Sequence, residues 1–202
     1  MFEITPFGGR PIVKLKSDYN FSDTEKKFLS SQEYKNNNNG TKLTKNVDVL
    51  ENPNLYNFKN YLLKIANDYV SDVLGIEQEI LLTHSWMTKN STNNFHDKHT
   101  HPNVFFSLIY YLDCKSGDLI FYNQKSAIQQ AFNFDFQIKK YNLFNSPTCT
   151  VRTRTNDIII FPGDMIHGTS PNEEKDDRIV LALNFFVKGV FGVNDNYLKI
   201  NL

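Results

Sequence analysis

The segment Arg178-Ile179-Val180-Leu181-Ala182-Leu183-Asn184-Phe185 constrains the fold more than any other stretch of the chain. Side chains along a strand alternate between its faces. Ile179, Leu181, Leu183 and Phe185 therefore form one strongly apolar face, which must be buried against another element. Arg178, Val180, Ala182 and Asn184 share the other face. An Arg and an Asn beside a small Ala fit a polar cavity with room for a ligand, or equally a solvated outer surface. The pattern alone leaves both open.

A cover for the apolar face lies upstream. Leu55, Phe58, Leu62, Ile65, Tyr69 and Val73 recur at spacings of three and four, which predicts an amphipathic helix. Asn52 serves as its N-cap, Pro53 as the first helical residue and Gly75 as its stop. Before it, a strand is expected around Pro11 to Leu15, then a short helix opened by the Ser22/Glu25 capping box. Residues 35–47 are polar, with the run Asn36 to Gly40, and read as a mobile surface loop.

From Ile80 onward the pattern changes to strands: Ile80–Met87, His99–Leu112 (broken by Pro102), Asp118–Tyr122, Val151–Arg154, Asp157–Phe161 and Arg178–Lys188. Helices first and strands afterwards imply a sheet covered on one face, or a barrel with helices outside. No repeat or linker divides the chain, so its 202 residues are expected to form one domain. Within it, 1–75 supplies the N-terminal strand and helices and 80–202 the strand-rich core.

Charge narrows the function classes. Lys+Arg and Asp+Glu balance at 22 each, so broad capture of nucleic acid or an anionic membrane is not expected. No apolar run approaches the roughly 20 residues of a membrane helix. The opening MFEITPFGGRPIVKLK lacks a signal-peptide layout, and a soluble cytoplasmic protein is expected. Cys114 and Cys149 form no CxxC pair, which excludes a zinc ribbon or redox dithiol; both are read as plain, partly buried thiols.

The histidines carry the chemistry. His96, His99 and His101 sit within six residues, His167 lies far downstream, and His84, near Trp86, is read as structural or superficial. His99 and His101, at i and i+2 on an extended segment, leave the same face. His167 follows the buried strand Asp157–Phe161 and the turn Pro162-Gly163, which aims the chain back at the sheet. Two strand neighbours and one distant residue can occupy one face of an octahedron, leaving positions for substrate and oxygen. Asp97 competes with His101 as the second ligand, and His96 is placed beside the site or at the surface.

The run His99-Thr100-His101-Pro102-Asn103 with Ser107-Leu108-Ile109-Tyr110-Tyr111-Leu112, and the later Phe161-Pro162-Gly163-Asp164-Met165-Ile166-His167, resemble the 2-oxoglutarate/Fe(II) oxygenases of marine bacteria and their phages. Tyr111-Leu112-Asp113 is also similar to a strand end of prolyl-hydroxylase-like oxygenases. The resemblance covers about Asp48 to Leu202. It implies a mainly β fold, a double-stranded β-helix (jelly roll, cupin-like) with the N-terminal helices outside its major sheet. It implies Fe(II), 2-oxoglutarate and O2, with metal ligands His99, His101 and His167; Asp97 lies outside the resembling motif. It further implies that Arg178 pairs with the distal carboxylate of 2-oxoglutarate and that Tyr111 adds a hydrogen bond. Asn184, on the face of Arg178, is counted with them, and no catalytic residue is expected beyond the metal ligands. One departure is that better-known oxygenases carry Asp or Glu where this chain has His101.

The implied reaction is hydroxylation of a C–H bond in a small molecule or peptide, with decarboxylation of 2-oxoglutarate to succinate. Competing readings are a three-histidine cupin-type dioxygenase that does not use 2-oxoglutarate and a non-catalytic phage binding or structural protein. Residues 35–47 and 123–141 are candidate lids. Phe132, Phe134 and Phe136 in the second are expected to continue the core.

Overall fold

The computed structural model describes residues 3–7, 9–142, 145–193 and 195–200. They form a double-stranded β-helix of two facing antiparallel sheets. The strands are β1 (Glu3–Phe7), β2 (Arg10–Lys16), β3 (Tyr34–Asn36), β4 (Lys42–Thr44), β5 (Glu79–Asn90), β6 (Phe106–Asp113), β7 (Leu119–Tyr122), β8 (Thr148–Val151), β9 (Asp157–Pro162), β10 (Ile166–Thr169), β11 (Arg178–Val193) and β12 (Asn196–Ile200). The major sheet runs β1-β2-β9-β6-β11-β5-β4-β3, with β12 paired to the far end of β11; the minor sheet runs β10-β7-β8.

Three helices accompany them: α1 (Asp23–Ser30), α2 (Tyr56–Asp68) and α3 (Ala127–Phe132). The capping box at α1 is present, with Ser22 accepting from the Glu25 N–H and Glu25 from the Ser22 N–H. Asn52 caps a 3-10 turn over Pro53–Leu55 instead of α2 itself, which starts at Tyr56 and ends in a π turn over Tyr69–Val73. The predicted stripe still faces inward: Leu55, Phe58, Leu62, Ile65 and Tyr69 are buried in one cluster with Leu181, Leu183 and Phe185.

The alternation in β11 is resolved by the structure. Its apolar face lies in that outer core, while Arg178, Val180, Ala182 and Asn184 line a cavity between the sheets. Arg178 is 3% exposed, so its face is not a solvated surface. β9 is buried on both sides: Ile158 and Ile160 join the helix-side core, Ile159 and Phe161 the core between the sheets. That double burial explains its unbroken apolar run.

Several expectations need correction. Residues 35–47 are a hairpin added to the major sheet, with β4 pairing onto β5 through Lys42↔Lys89 and Leu43↔Thr88. Buried hydroxyls fix it: Thr41 donates to the Phe95 carbonyl and accepts from Asn90, and Thr44 accepts from the Met87 N–H. The strand expected from His99 begins only at Phe106; before it, one antiparallel bridge joins His99 to His167. The strand read as Val151–Arg154 is Thr148–Val151, and that read as Arg178–Lys188 runs on to Val193. Phe132, Phe134 and Phe136 are 59%, 67% and 43% exposed, not core, and pack edge-to-face on one another. No described helix is long and apolar enough to cross a membrane. Cys114 and Cys149 are unpaired thiols, one buried and one half-buried.

Candidate metal centre

His99, His101 and His167 converge. One ring nitrogen from each lies within 4.8 Å of the others, and Asp97 offers no atom to this group. The bridge between His99 and His167, with N–H to carbonyl bonds of 2.9 Å in both directions, brings the segment after Asp97 alongside β10. His101 is tied by its N–H to the Gly163 carbonyl at 3.0 Å. Gly163 and Gly168 permit these close approaches: a Cβ would meet the Val104 carbonyl at 2.5 Å in the first and the His96 carbonyl at 2.9 Å in the second.

The protons on two rings follow from their partners. His99 Nδ1 lies 2.7 Å from the Asp97 main-chain carbonyl, and His167 Nδ1 lies 2.9 Å from that of Met165. A carbonyl only accepts, so each Nδ1 carries the proton and each Nε2 presents a lone pair. This is the arrangement of metal-binding histidines, whose second nitrogen donates to a carbonyl or carboxylate. His101 Nε2 lies 3.3 Å from His167 Nε2. Two ligands at right angles on a metal, with bonds of about 2.1 Å, lie about 3 Å apart. Burial lowers the basicity of two of the rings: His101 falls to about 4, helped by the charge of His99, and His167 lies well below its ordinary value. His101 and His167 are therefore neutral near pH 7, the ligating form.

His96 stacks on His99 with ring centroids 4.5 Å apart and lines the same cavity without joining the convergent group. Burial, then the charges of His99 and Arg178, lower it to about 3. His84 is exposed.

The cavity extends from the three rings to Arg178 and includes Tyr111, which is fully buried. Arg178 donates to the Gly117 carbonyl (2.5 Å), Asn90 Oδ1 (2.9 Å) and Thr169 Oγ1 (3.2 Å). Its Nε–H is buried without an acceptor, and among the described residues no carboxylate pairs with it. Burial lowers its basicity and raises the Tyr111 phenol. An unpaired buried guanidinium is costly; here it faces a cavity of about 40 Å³. The fit to a dicarboxylate cosubstrate thus rests on an orphaned charged donor that faces the cavity.

Asn184 stands differently. Its amide lies between Ser107 Oγ (2.8 Å) and His101 Nδ1 (3.3 Å), so it contacts a ring of the metal group as well as the cavity. Asn90 and Gly117 carried no signal in the sequence, and Ser107 only its place in the resembling run. Thr169 did, two residues beyond His167 on the same face of the strand.

Residues 84–184, 101 of the 202, match a family model described as "Putative 2OG-Fe(II) oxygenase". The chain belongs to this 2OG-Fe(II) oxygenase family. The family's cofactors are iron(II), 2-oxoglutarate and O2, and its members are oxidoreductases. Among curated proteins no relative matches the chain. Solved structures share the fold. An oxidoreductase of the 2OG-Fe(II) oxygenase family from Burkholderia pseudomallei is 12% identical at TM-score 0.61, covering 87% of this chain and 84% of its own. HygX from Streptomyces hygroscopicus, with nickel, 2-oxoglutarate and hygromycin B bound, is 11% identical at 0.58, covering 87% and 82%. A prolyl hydroxylase from Trichoplax adhaerens, in complex with a peptide fragment of hypoxia inducible factor, is 14% identical at 0.57, covering 87% and 83%.

Proposed function

We propose that this 2OG-Fe(II) oxygenase hydroxylates a C–H bond of a small molecule or peptide, converting 2-oxoglutarate to succinate and carbon dioxide. The observation that carries this reading is the pairing, in one small cavity, of three convergent imidazoles with a buried guanidinium whose Nε–H has no acceptor. His99, His101 and His167 hold the iron through Nε2, and Arg178 takes the distal carboxylate of 2-oxoglutarate in a charge-assisted bond. Tyr111, which lines the same cavity, donates to that carboxylate. The iron, 2-oxoglutarate and O2 supply the oxidising power; the chain supplies position and exclusion of water. Leu119, Phe161 and Val180 wall the cavity with apolar surface, which strengthens the Arg178–carboxylate attraction. The whole chain acts as one oxygenase domain, residues 1–75 bracing the β-helix of 80–202.

HygX, with hygromycin B bound, and the prolyl hydroxylase, in complex with a peptide fragment, support a small molecule or a peptide as the substrate here. The test is succinate formation from 2-oxoglutarate by the iron-loaded protein, with and without O2. We expect O2-dependent succinate that is abolished in His167→Ala and Arg178→Gln. Oxygen consumption without any succinate would favour a three-histidine dioxygenase instead.

A further inference from the structure

His101 differs from its two companions in one respect. The Nδ1 protons of His99 and His167 are fixed by main-chain carbonyls, whereas among the described residues His101 Nδ1 meets only the side-chain amide of Asn184. An amide presents a donor and an acceptor of nearly the same shape, and a hydroxyl both donates and accepts. The hydrogen-bonded chain Ser107–Asn184–His101–His167 therefore has two self-consistent proton arrangements. In one, Ser107 donates to the Asn184 oxygen, the Asn184 N–H donates to His101 Nδ1, and His101 carries its proton on Nε2. That proton points at His167 Nε2, whose lone pair receives it. In the other, the amide is turned by half a rotation: His101 Nδ1–H donates to the Asn184 oxygen, and the Asn184 N–H donates to Ser107. Only the second leaves three lone pairs facing one point.

We propose that Asn184, anchored by Ser107, is a positioning residue that sets the tautomer through which His101 binds the metal. This rests on the metal reading above. Binding a metal through His101 Nε2 would require the second arrangement, with the His101 proton on Nδ1 instead of Nε2 and the amide turned, so that this ring would release no proton. Ser107 and Asn184 are 2% and 8% exposed, so the alternation is shielded from solvent. It also reassigns Asn184, expected from the sequence to bind cosubstrate, to the support of a ligand.

The direct readout is nitrogen NMR of the full chain labelled at histidine, with and without Zn(II) as a diamagnetic probe. We expect His101 to be protonated on Nε2 without metal and on Nδ1 with it, while His99 and His167 keep Nδ1–H throughout. Asn184→Leu should weaken Zn(II) binding about 10–100-fold. Asn184→Asp, which only accepts, should bind at least as tightly as wild type, and a purely packing role would not separate the two. Circular dichroism establishes that both variants are folded, and if Asn184→Leu is not, Asn184→Asp and the NMR still decide. Unchanged His101 protonation on Zn(II) binding, or weaker binding by Asn184→Asp, would overturn the proposal. The metal reading fails separately: wild-type protein that takes up no Zn(II), or His99→Ala that binds it as tightly as wild type, refutes that reading.

Discussion

If Arg178 holds the 2-oxoglutarate carboxylate as proposed, replacing it should weaken cosubstrate binding while leaving the metal ligands intact, and the effect can be worked from its bonds. A guanidinium has five N–H donors. Three bonds go to Gly117, Asn90 and Thr169, which leaves two donors (5 − 3), the buried Nε–H among them. A hydrogen bond to a charged group contributes about 1.5–3 kcal/mol, so losing two costs about 3–6 kcal/mol. At about 1.4 kcal/mol per tenfold, Arg178→Gln should weaken 2-oxoglutarate binding on the order of 10²- to 10⁴-fold. Arg178→Lys keeps the charge but not the planar fork; the loss of one such bond predicts about 10- to 100-fold. The assay is anaerobic calorimetric titration of iron-loaded protein, with metal content measured in parallel. Binding by Arg178→Gln within threefold of wild type, at full metal content, would refute the assignment of the carboxylate to this residue.

Two further outcomes follow from the same contacts. Gly117 has φ +88°, and a Cβ there would lie 2.6 Å from Arg178 Nη1; Gly117→Ala should therefore displace the guanidinium and raise the Kd for 2-oxoglutarate without metal loss, read by the same titration. The Tyr69 hydroxyl is buried without a partner at the π turn of α2, so Tyr69→Phe should stabilise the fold by about 1–3 kcal/mol, the cost of an unsatisfied buried hydroxyl. At about 2–4 °C per kcal/mol for a chain of this size, the thermal midpoint should rise, and a fall would show that the hydroxyl has a partner.

What was legible in the sequence was local and periodic. The two-residue period of Arg178–Phe185 placed a cavity face and a core face, and the helical stripe from Leu55 to Tyr69 identified what covers the latter. The i, i+2 spacing of His99 and His101 made a pair of neighbouring rings visible before the fold was known. What was not legible depends on partners far along the chain. The 35–47 hairpin is fixed by Thr41 bonds to residues 54 and 49 positions away, so its polar composition read as a loop. The holders of Arg178 lie 61 and 88 positions away, and the His101–Asn184 contact spans 83. The phenylalanines of 132–136 misled for the opposite reason. Apolar character argues for burial, yet the six-residue α3 carries them at the surface, where they cluster on one another.

The most direct test of the central claim is an anaerobic absorption titration of the iron(II)-loaded protein with 2-oxoglutarate. Chelation of the iron by the 2-oxoacid, with Arg178 holding its far end, predicts a visible charge-transfer band that saturates at one 2-oxoglutarate per chain and is absent in His167→Ala. A wild-type protein that binds iron but develops no band at saturating 2-oxoglutarate would contradict the account.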